Sequence, residues 1–362
     1  MKKVVLYFVV AAISLSLISV FTMTGCKEAV AEEVTGEEEA VAEEVTGEEA
    51  VVAEEGMASF GAKKFEPEGG LKFAFVSIST QVAFWVPVDN GIADFAAQYG
   101  VKAVHMGPPD YKPEEEVAVL ENLLETGIDG VSIFIPEPGL MDSVIAKYLD
   151  KGIPVIIQNT GAEDAKRLGL PYVGKENYLG GLEWGEKIVE VLGGSEEAKD
   201  KQVLFMTEAP GQSSLEERLK GAKEILDEVG VIHETIDVTT DREKAYGNIE
   251  SAYTANPEIV GLFSTDTTGT PAAGLFVKNN DLVGKVIVGG FDLTPDTLVG
   301  IKEGYIEFTI DQYPYRAGHL SMTMLYEKVV LGLEPFDHFI PSGFIDKSNV
   351  DVAIELSEKG YR

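Results

Sequence analysis

The sequence predicts an α/β protein made of two doubly wound lobes that face each other across a cleft. Three observations carry that reading. From residue 71 onward, short apolar runs alternate with amphipathic stretches, the order that builds parallel sheets with helices on both faces. The alternation runs to about residue 160 and begins again near residue 177. The two series also end alike. Gly152-Ile153-Pro154-Val155-Ile156 leads to Asn159, and Gly284-Lys285-Val286-Ile287-Val288 leads to Asp292. Each sets a polar side chain just past the C-terminal end of a late strand, where open α/β sheets bind ligands.

Residues 1–25 read as a targeting segment. Lys2 and Lys3 form a basic start, residues 4–20 are almost continuously apolar, and small residues lead to Cys26. The pattern resembles a bacterial lipoprotein signal, in which the cysteine is lipidated; Met23 stands where Leu is usual. The alternative is an uncleaved anchor helix, and either way the rest of the chain leaves the cytoplasm. Residues 26–56 read as a tether. Ala29-Val30-Ala31-Glu32-Glu33-Val34-Thr35-Gly36-Glu37-Glu38 recurs at residues 40–49, and twelve of residues 27–56 are Glu against one Lys. So little apolar surface does not repay the entropy of ordering.

The stretch 71–91, LKFAFVSISTQVAFWVPVDNG, holds a buried strand, a polar break at Ser79-Thr80-Gln81, the adjacent rings Phe84 and Trp85, and the start of a helix. The two rings either line a ligand site at the strand end or belong to the core of that helix. A strand at 101–105, a helix at 113–126, a strand at 130–136, a helix at 139–150 and a strand at 153–157 complete the first series. The second has helices at 177–192, 213–229, 242–255 and 269–277, with strands at 202–206, 231–238, 259–264 and 286–289. A helix at 294–303, a strand at 305–310 and a long helix from Pro314 to about residue 331 follow, with Pro placed where its missing N–H is not needed.

Composition excludes several classes. The length of 362 residues suits about two domains, and 45% hydrophobic residues suffice for a sizeable core. A formal net charge of -32 argues against nucleic acid and against an anionic membrane surface as partners. One cysteine excludes an internal disulfide and any Cys/His zinc cluster. No Gly-x-Ser-x-Gly elbow, P-loop or metal-spaced His pair is visible, and Gly107-Pro108-Pro109 lacks the glycines of a dinucleotide fingerprint. His105, His233, His319 and His338 are scattered and read as structural. Asp266 and Asp292 could face each other as a glycosidase pair, but both are better placed to hold a ligand than to attack one. Neither enzyme chemistry nor a cofactor or metal is expected.

The most specific pieces are Val288-Gly289-Gly290-Phe291-Asp292-Leu293-Thr294-Pro295-Asp296, Thr309-Ile310-Asp311-Gln312-Tyr313-Pro314-Tyr315 and Gly152-Ile153-Pro154-Val155-Ile156. In this order, behind a lipoprotein signal, they resemble the periplasmic-binding-protein type I family, the sugar-binding lipoproteins of ABC importers. The resemblance covers about residues 70–350. It implies two Rossmann-like lobes joined by a three-strand hinge that closes on a sugar. Crossings are expected near residues 172–173, 311–312 and 335–341. One lobe is then 57–172 plus 313–336, and the other 173–312 plus 337–362.

By the same resemblance, Phe84 and Trp85 fall where the family stacks rings on a sugar face. Asn159 falls where it has an Asp that bonds hydroxyls, and Asp266 where it often has Asn. Asp292 and Gln312 match its Asp and Gln, and Gln81 stands in the first loop beside Val82, where the ribose binder has Asn. Glu216 and Thr160 stand where the ribose binder has Arg, with Arg218 two residues on. Two basic donors are therefore expected to be missing, and the sugar is not expected to be ribose. Each assignment has a competitor. Asp292 either lines the cleft or caps the following helix, a task Thr294 could take instead. Asp266 is a ligand residue or a cap, and Gln312 a ligand residue or a hinge brace. The expected partners are a monosaccharide or sugar alcohol, ABC permease subunits and, through the lipid, a membrane; the chain is expected to be a monomer. The competing function is a sensor for a sugar-derived signal or nucleoside, docking on a receptor.

Overall fold

The computed structural model describes residues 70–362. The targeting segment 1–25, the lipidation site Cys26, the tether 26–56 and residues 57–69 lie outside the described residues.

The first lobe begins with β1 (Lys72–Val76), α1 (Trp85–Tyr99), β2 (Lys102–Met106), α2 (Pro113–Thr126), β3 (Gly130–Ile133), α3 (Asp142–Asp150), β4 (Val155–Gln158), α4 (Ala162–Leu168) and β5 (Tyr172–Gly174). The second follows with α5 (Asn177–Val191), α6 (Ser195–Ala198), β6 (Gln202–Thr207), α7 (Ser213–Val229), β7 (Ile232–Asp237), α8 (Arg242–Ala255), β8 (Ile259–Ser264), α9 (Gly269–Asn279), β9 (Ile287–Phe291), α10 (Pro295–Glu303) and β10 (Phe308–Asp311). The chain then returns with α11 (Pro314–Tyr326) and a π turn (Glu327–Leu331), adds β11 (His338–Phe339), and ends with β12 (Gly343–Asp346) and α12 (Val350–Glu358).

Two six-stranded sheets result, in the orders β11-β5-β4-β3-β1-β2 and β12-β10-β9-β8-β6-β7. All pairings are parallel except β10 with β12. The strands read as continuous apolar runs because both faces of each sheet are covered. One face of the first sheet packs Leu120, Val144 and Ala165 of α2, α3 and α4; the other packs Val88 and Phe95 of α1 against Met322 and Leu325 of α11. The second sheet is covered by Ile249, Phe276 and Leu298 on one face and by Trp184 and Leu219 on the other. Helices α5 and α7 touch backbone to backbone. A methyl at Gly221 would stand 2.3 Å from the Tyr178 carbonyl oxygen, and one at Gly181 would stand 2.4 Å from that of Arg218. This approach fixes the turn of α7 that carries Arg218.

The chain passes between the sheets three times, at 175–176, 312–313 and 340–342. The first crossing lies later than the sequence suggested, and the third falls at the end of the expected stretch 335–341. Tyr172–Gly174 and His338–Phe339 pair with each other in the first sheet, so that lobe keeps both segments. The short α4 and the strands β11 and β12 have too few residues to show a period and were not expected, nor was the C-terminal helix α12. The helix expected to reach residue 331 runs as α-helix to Tyr326.

Glu116 is an exception in the core of the first lobe. It lies in the first turn of α2, wholly buried, and neither carboxylate oxygen has a hydrogen-bond partner among the described residues. Burial holds its carboxyl well above the ordinary range. An unfolded Glu ionises near pH 4.3. Above that pH the unfolded chain releases a proton that the folded chain keeps. Stability is therefore full below about pH 4 and declines as the pH rises toward the folded value. Asp311, pushed up to about 6 chiefly by burial, acts in the same sense. The protein is expected to melt at a higher temperature at pH 5.5 than at pH 8, and Glu116→Gln is expected to flatten that decline. A melting curve series with equal slopes in both proteins would refute the assignment.

Candidate ligand-binding cleft

The C-terminal strand ends of both sheets meet at a cavity of about 270 Å³. Gln81, Phe84, Trp85, Asn159, Asp266, Asp292 and Gln312 all line it. The two series are separate along the chain, and the fold brings their ends together.

The first lobe supplies an aromatic wall. Phe84 stands just before α1 and is half-buried, its ring edge-to-face against Trp85 at 4.8 Å. Trp85 satisfies both readings. Its ring is 4% exposed and packs edge-on to Phe75 and Phe134, each at 6.1 Å, while its Nε1 donates to Ser79 Oγ at 3.3 Å. It is core on most sides and cavity wall on one. Asn159 lies past β4 with φ of 59°, a left-handed conformation that Asn tolerates. Its backbone is tied on both sides, the N–H donating to the Val173 carbonyl at 2.9 Å and the carbonyl accepting from the Tyr172 hydroxyl at 2.8 Å. Its carboxamide makes no hydrogen bond among the described residues. Gln81 is exposed at the rim.

The second lobe supplies a polar chain. Asp292 follows β9 with φ of 73°. Its Oδ2 accepts from the Thr267 hydroxyl at 2.7 Å, and its Oδ1 accepts from Gln312 Nε2 at 2.6 Å. Gln312 Oε1 accepts in turn from the Arg218 guanidinium at 2.5 Å. Arg218 also donates to Asn177 Oδ1 at 2.9 Å and to the Thr265 carbonyl at 2.7 Å, and it stacks over Phe291 at 4.3 Å. Burial raises the Asp292 carboxyl, and the Arg218 charge opposes that rise. Thr294 caps α10, accepting from the Thr297 amide at 3.1 Å, which leaves Asp292 for the cleft.

Asp266 has a different geometry. Its oxygens accept from the amides of Glu208, Thr268 and Gly269 and from the hydroxyls of Ser264 and Thr265. It holds the loop and the start of α9, so little of it is left for a ligand.

One expectation is corrected. A basic donor is present, and Arg218 supplies it. Residues two apart on a helix point about 200° apart. Glu216 therefore turns away and braces the Gly211 amide at 2.9 Å, while Arg218 faces the cavity. Thr160 does not line the cavity. Glu208, Gln212, Thr240 and Asp110 line it and were not expected. Glu208 directly follows β6, so the rule that marked Asn159 and Asp292 would also have marked it; Thr240 lies in the loop between β7 and α8.

The lobes also touch across the mouth of the cleft. The Ser213 amide and hydroxyl donate to the Pro136 carbonyl at 3.1 and 3.0 Å. At the hinge, Lys175 and Glu183 both reach the Ser342 hydroxyl, tying the first crossing to the third. Arg362 lies 3.3 Å from Asp311 beside the second.

Two α/β lobes closed on a polar, aromatic-walled cavity, with three short crossings between them, define a hinged binding protein. The chain belongs to the periplasmic binding protein family, whose domain model matches residues 73–332. It is similar to the xylose/arabinose-binding protein of Sulfolobus acidocaldarius, 26% identical over 77% of this chain and 72% of that one. It is 25% identical to the ribose import binding protein of Bacillus subtilis, over 68% of this chain and 78% of the relative. The solute-binding protein of Burkholderia graminis, solved with D-arabinose, superposes with a TM-score of 0.71 at 25% identity, covering 79% of this chain and 98% of that one. These relatives are binding proteins by name, and the chain, which belongs to the same family, is a binding protein rather than an enzyme. Among the described residues, no helix is long and apolar enough to cross a membrane and no group of His, Cys, Asp or Glu converges as a metal site.

Proposed function

We propose that the protein captures a monosaccharide or sugar alcohol in this cleft and delivers it to an ABC permease, from an exported position anchored by lipid at Cys26. The observation that carries the reading is the Asp292–Gln312–Arg218 chain facing Phe84 and Trp85 across about 270 Å³. Carboxylate and amide oxygens take hydroxyl protons, and flat rings take the C–H face of a sugar. The volume lies just below the roughly 300–1,000 Å³ of drug-sized pockets and suits a single sugar ring. The pentose binders among the relatives support the same ligand class.

Capture works through differential contact. A sugar that touches both walls favours the closed arrangement, which is the form a permease recognises. Ser213 offers a test that leaves the cavity alone. It is the first residue of α7, where proline is well tolerated, and Gln212 before it is already extended. Ser213→Pro removes both bonds to Pro136 and keeps the helix. Its expected effect is a several-fold faster sugar release, about 1 kcal/mol for the lost bonds. Stopped-flow release at the wild-type rate would show that this contact does not hold the lobes together.

The function itself is tested by thermal unfolding against D-xylose, L-arabinose, D-ribose, D-allose, myo-inositol and a set of nucleosides. A ligand at about 100 times its Kd stabilises by roughly 2.7 kcal/mol. For lobes of this size that raises the melting temperature by roughly 5 °C. A shift with one or more sugars is expected; shifts with nucleosides alone would overturn the reading.

A further inference from the structure

We propose that Glu208 is a further ligand-contacting residue, one that sets which hydroxyl the cleft demands; this rests on the sugar-capture reading above. Glu208 directly follows β6 and lines the cavity beside Asp266. Its Oε2 is sealed from bulk solvent and has no hydrogen-bond partner among the described residues. The loop does not need this side chain for its shape. Asp266 holds the Glu208 backbone amide at 2.8 Å, and Glu216 holds that of Gly211 at 2.9 Å. Glu208 borders the cavity with this oxygen buried and unpaired, so a small rotation that brings the carboxyl to a ligand hydroxyl contributes affinity, and loss of that hydroxyl is penalised.

The chemistry of the corner narrows the ligand. Burial, and then the neighbouring Asp266 charge, hold the Glu208 carboxyl well above the ordinary range. Asp292 adds to the same effect, and Thr268 opposes it. Both effects favour the protonated form, in which the group donates as well as accepts. A sugar hydroxyl does the same. A sugar acid would place a third carboxylate beside Asp266 and Asp292 and is rejected. The ligand class is a neutral polyol with a hydroxyl at this corner.

The experiment is calorimetric titration of the wild type, Glu208→Gln and Glu208→Ala with D-xylose, L-arabinose, D-ribose, D-allose and myo-inositol. The tightest binder is then compared with its monodeoxy analogues. We expect Glu208→Ala to weaken that sugar by about tenfold or more and Glu208→Gln to recover most of the loss. We also expect one deoxy analogue, rejected by the wild type, to bind Glu208→Ala as tightly as the parent sugar does. A merely structural role would lower all affinities together and leave that discrimination intact, which would overturn the proposal. Unchanged affinity in Glu208→Ala would overturn it as well. If no sugar binds the wild type, the capture reading fails, and this inference fails with it.

Discussion

Arg218→Met is expected to abolish sugar binding and to destabilise the protein in the absence of sugar. Arg218 is 3% exposed, and its guanidinium bonds three groups, Asn177, Thr265 and Gln312, from three different segments of the second lobe and hinge. Methionine keeps the aliphatic volume and the contact with Phe291 but leaves Asn177 Oδ1 and the Thr265 carbonyl without their donor. It also leaves the buried Asp292 charge without a counter-charge. Breaking a buried ionic network on one side costs about 3–5 kcal/mol, a large share of the stability of an ordinary domain. Urea unfolding checks the first effect and calorimetric titration the second. A midpoint and an affinity both close to wild type would mean that the network contributes nothing.

Asp292→Ala is expected to lose binding strongly and to lose less stability than Arg218→Met, because Asp266 also compensates the buried Arg218 charge. Burial works against the Asp292 charge in the folded protein, so removing it relieves a cost as well as breaking its bonds to Thr267 and Gln312. The carboxylate oxygens are the acceptors best placed for sugar hydroxyls. Two charge-assisted bonds at about 1.5–3 kcal/mol each correspond to a loss of at least roughly 100-fold. Asp292→Asn keeps the shape and one acceptor and is expected to fall between. Titration of the three proteins with the same sugar decides it; an alanine variant within about threefold of wild type would remove Asp292 from the site.

The contrast between these two residues shows how far the sequence could be read. Asp292 was legible because it ends a strand inside a recognisable motif, and Thr294 two residues on visibly offered the alternative cap. Arg218 was less legible: Glu216 stands at the position of the family's Arg, and alignment within α7 cannot see that Glu216 and Arg218 point in opposite directions. Asp266 was legible as a position but not as a role: whether its oxygens face a ligand or the Thr268 and Gly269 amides depends on loop geometry that no periodicity encodes. The strand and helix order was readable throughout the two series, since buried parallel strands are short apolar runs and their helices have one apolar face. The crossings were less so, because β5 and β11 are short strands whose pairing joins segments far apart in the chain.

The central claim is that a sugar lies against the aromatic wall of the cleft, and Trp85 can report it directly. The chain has two tryptophans. Trp184 is wholly buried in the second lobe, away from the cavity. In a Trp184→Phe background all indole fluorescence comes from Trp85. Titration with the sugar that raises the melting temperature should give a saturable change at one site per chain, and Asp292→Ala should remove it. A sugar that stabilises the protein without altering Trp85 emission, or a change that survives in Asp292→Ala, would place the binding site elsewhere and contradict the account.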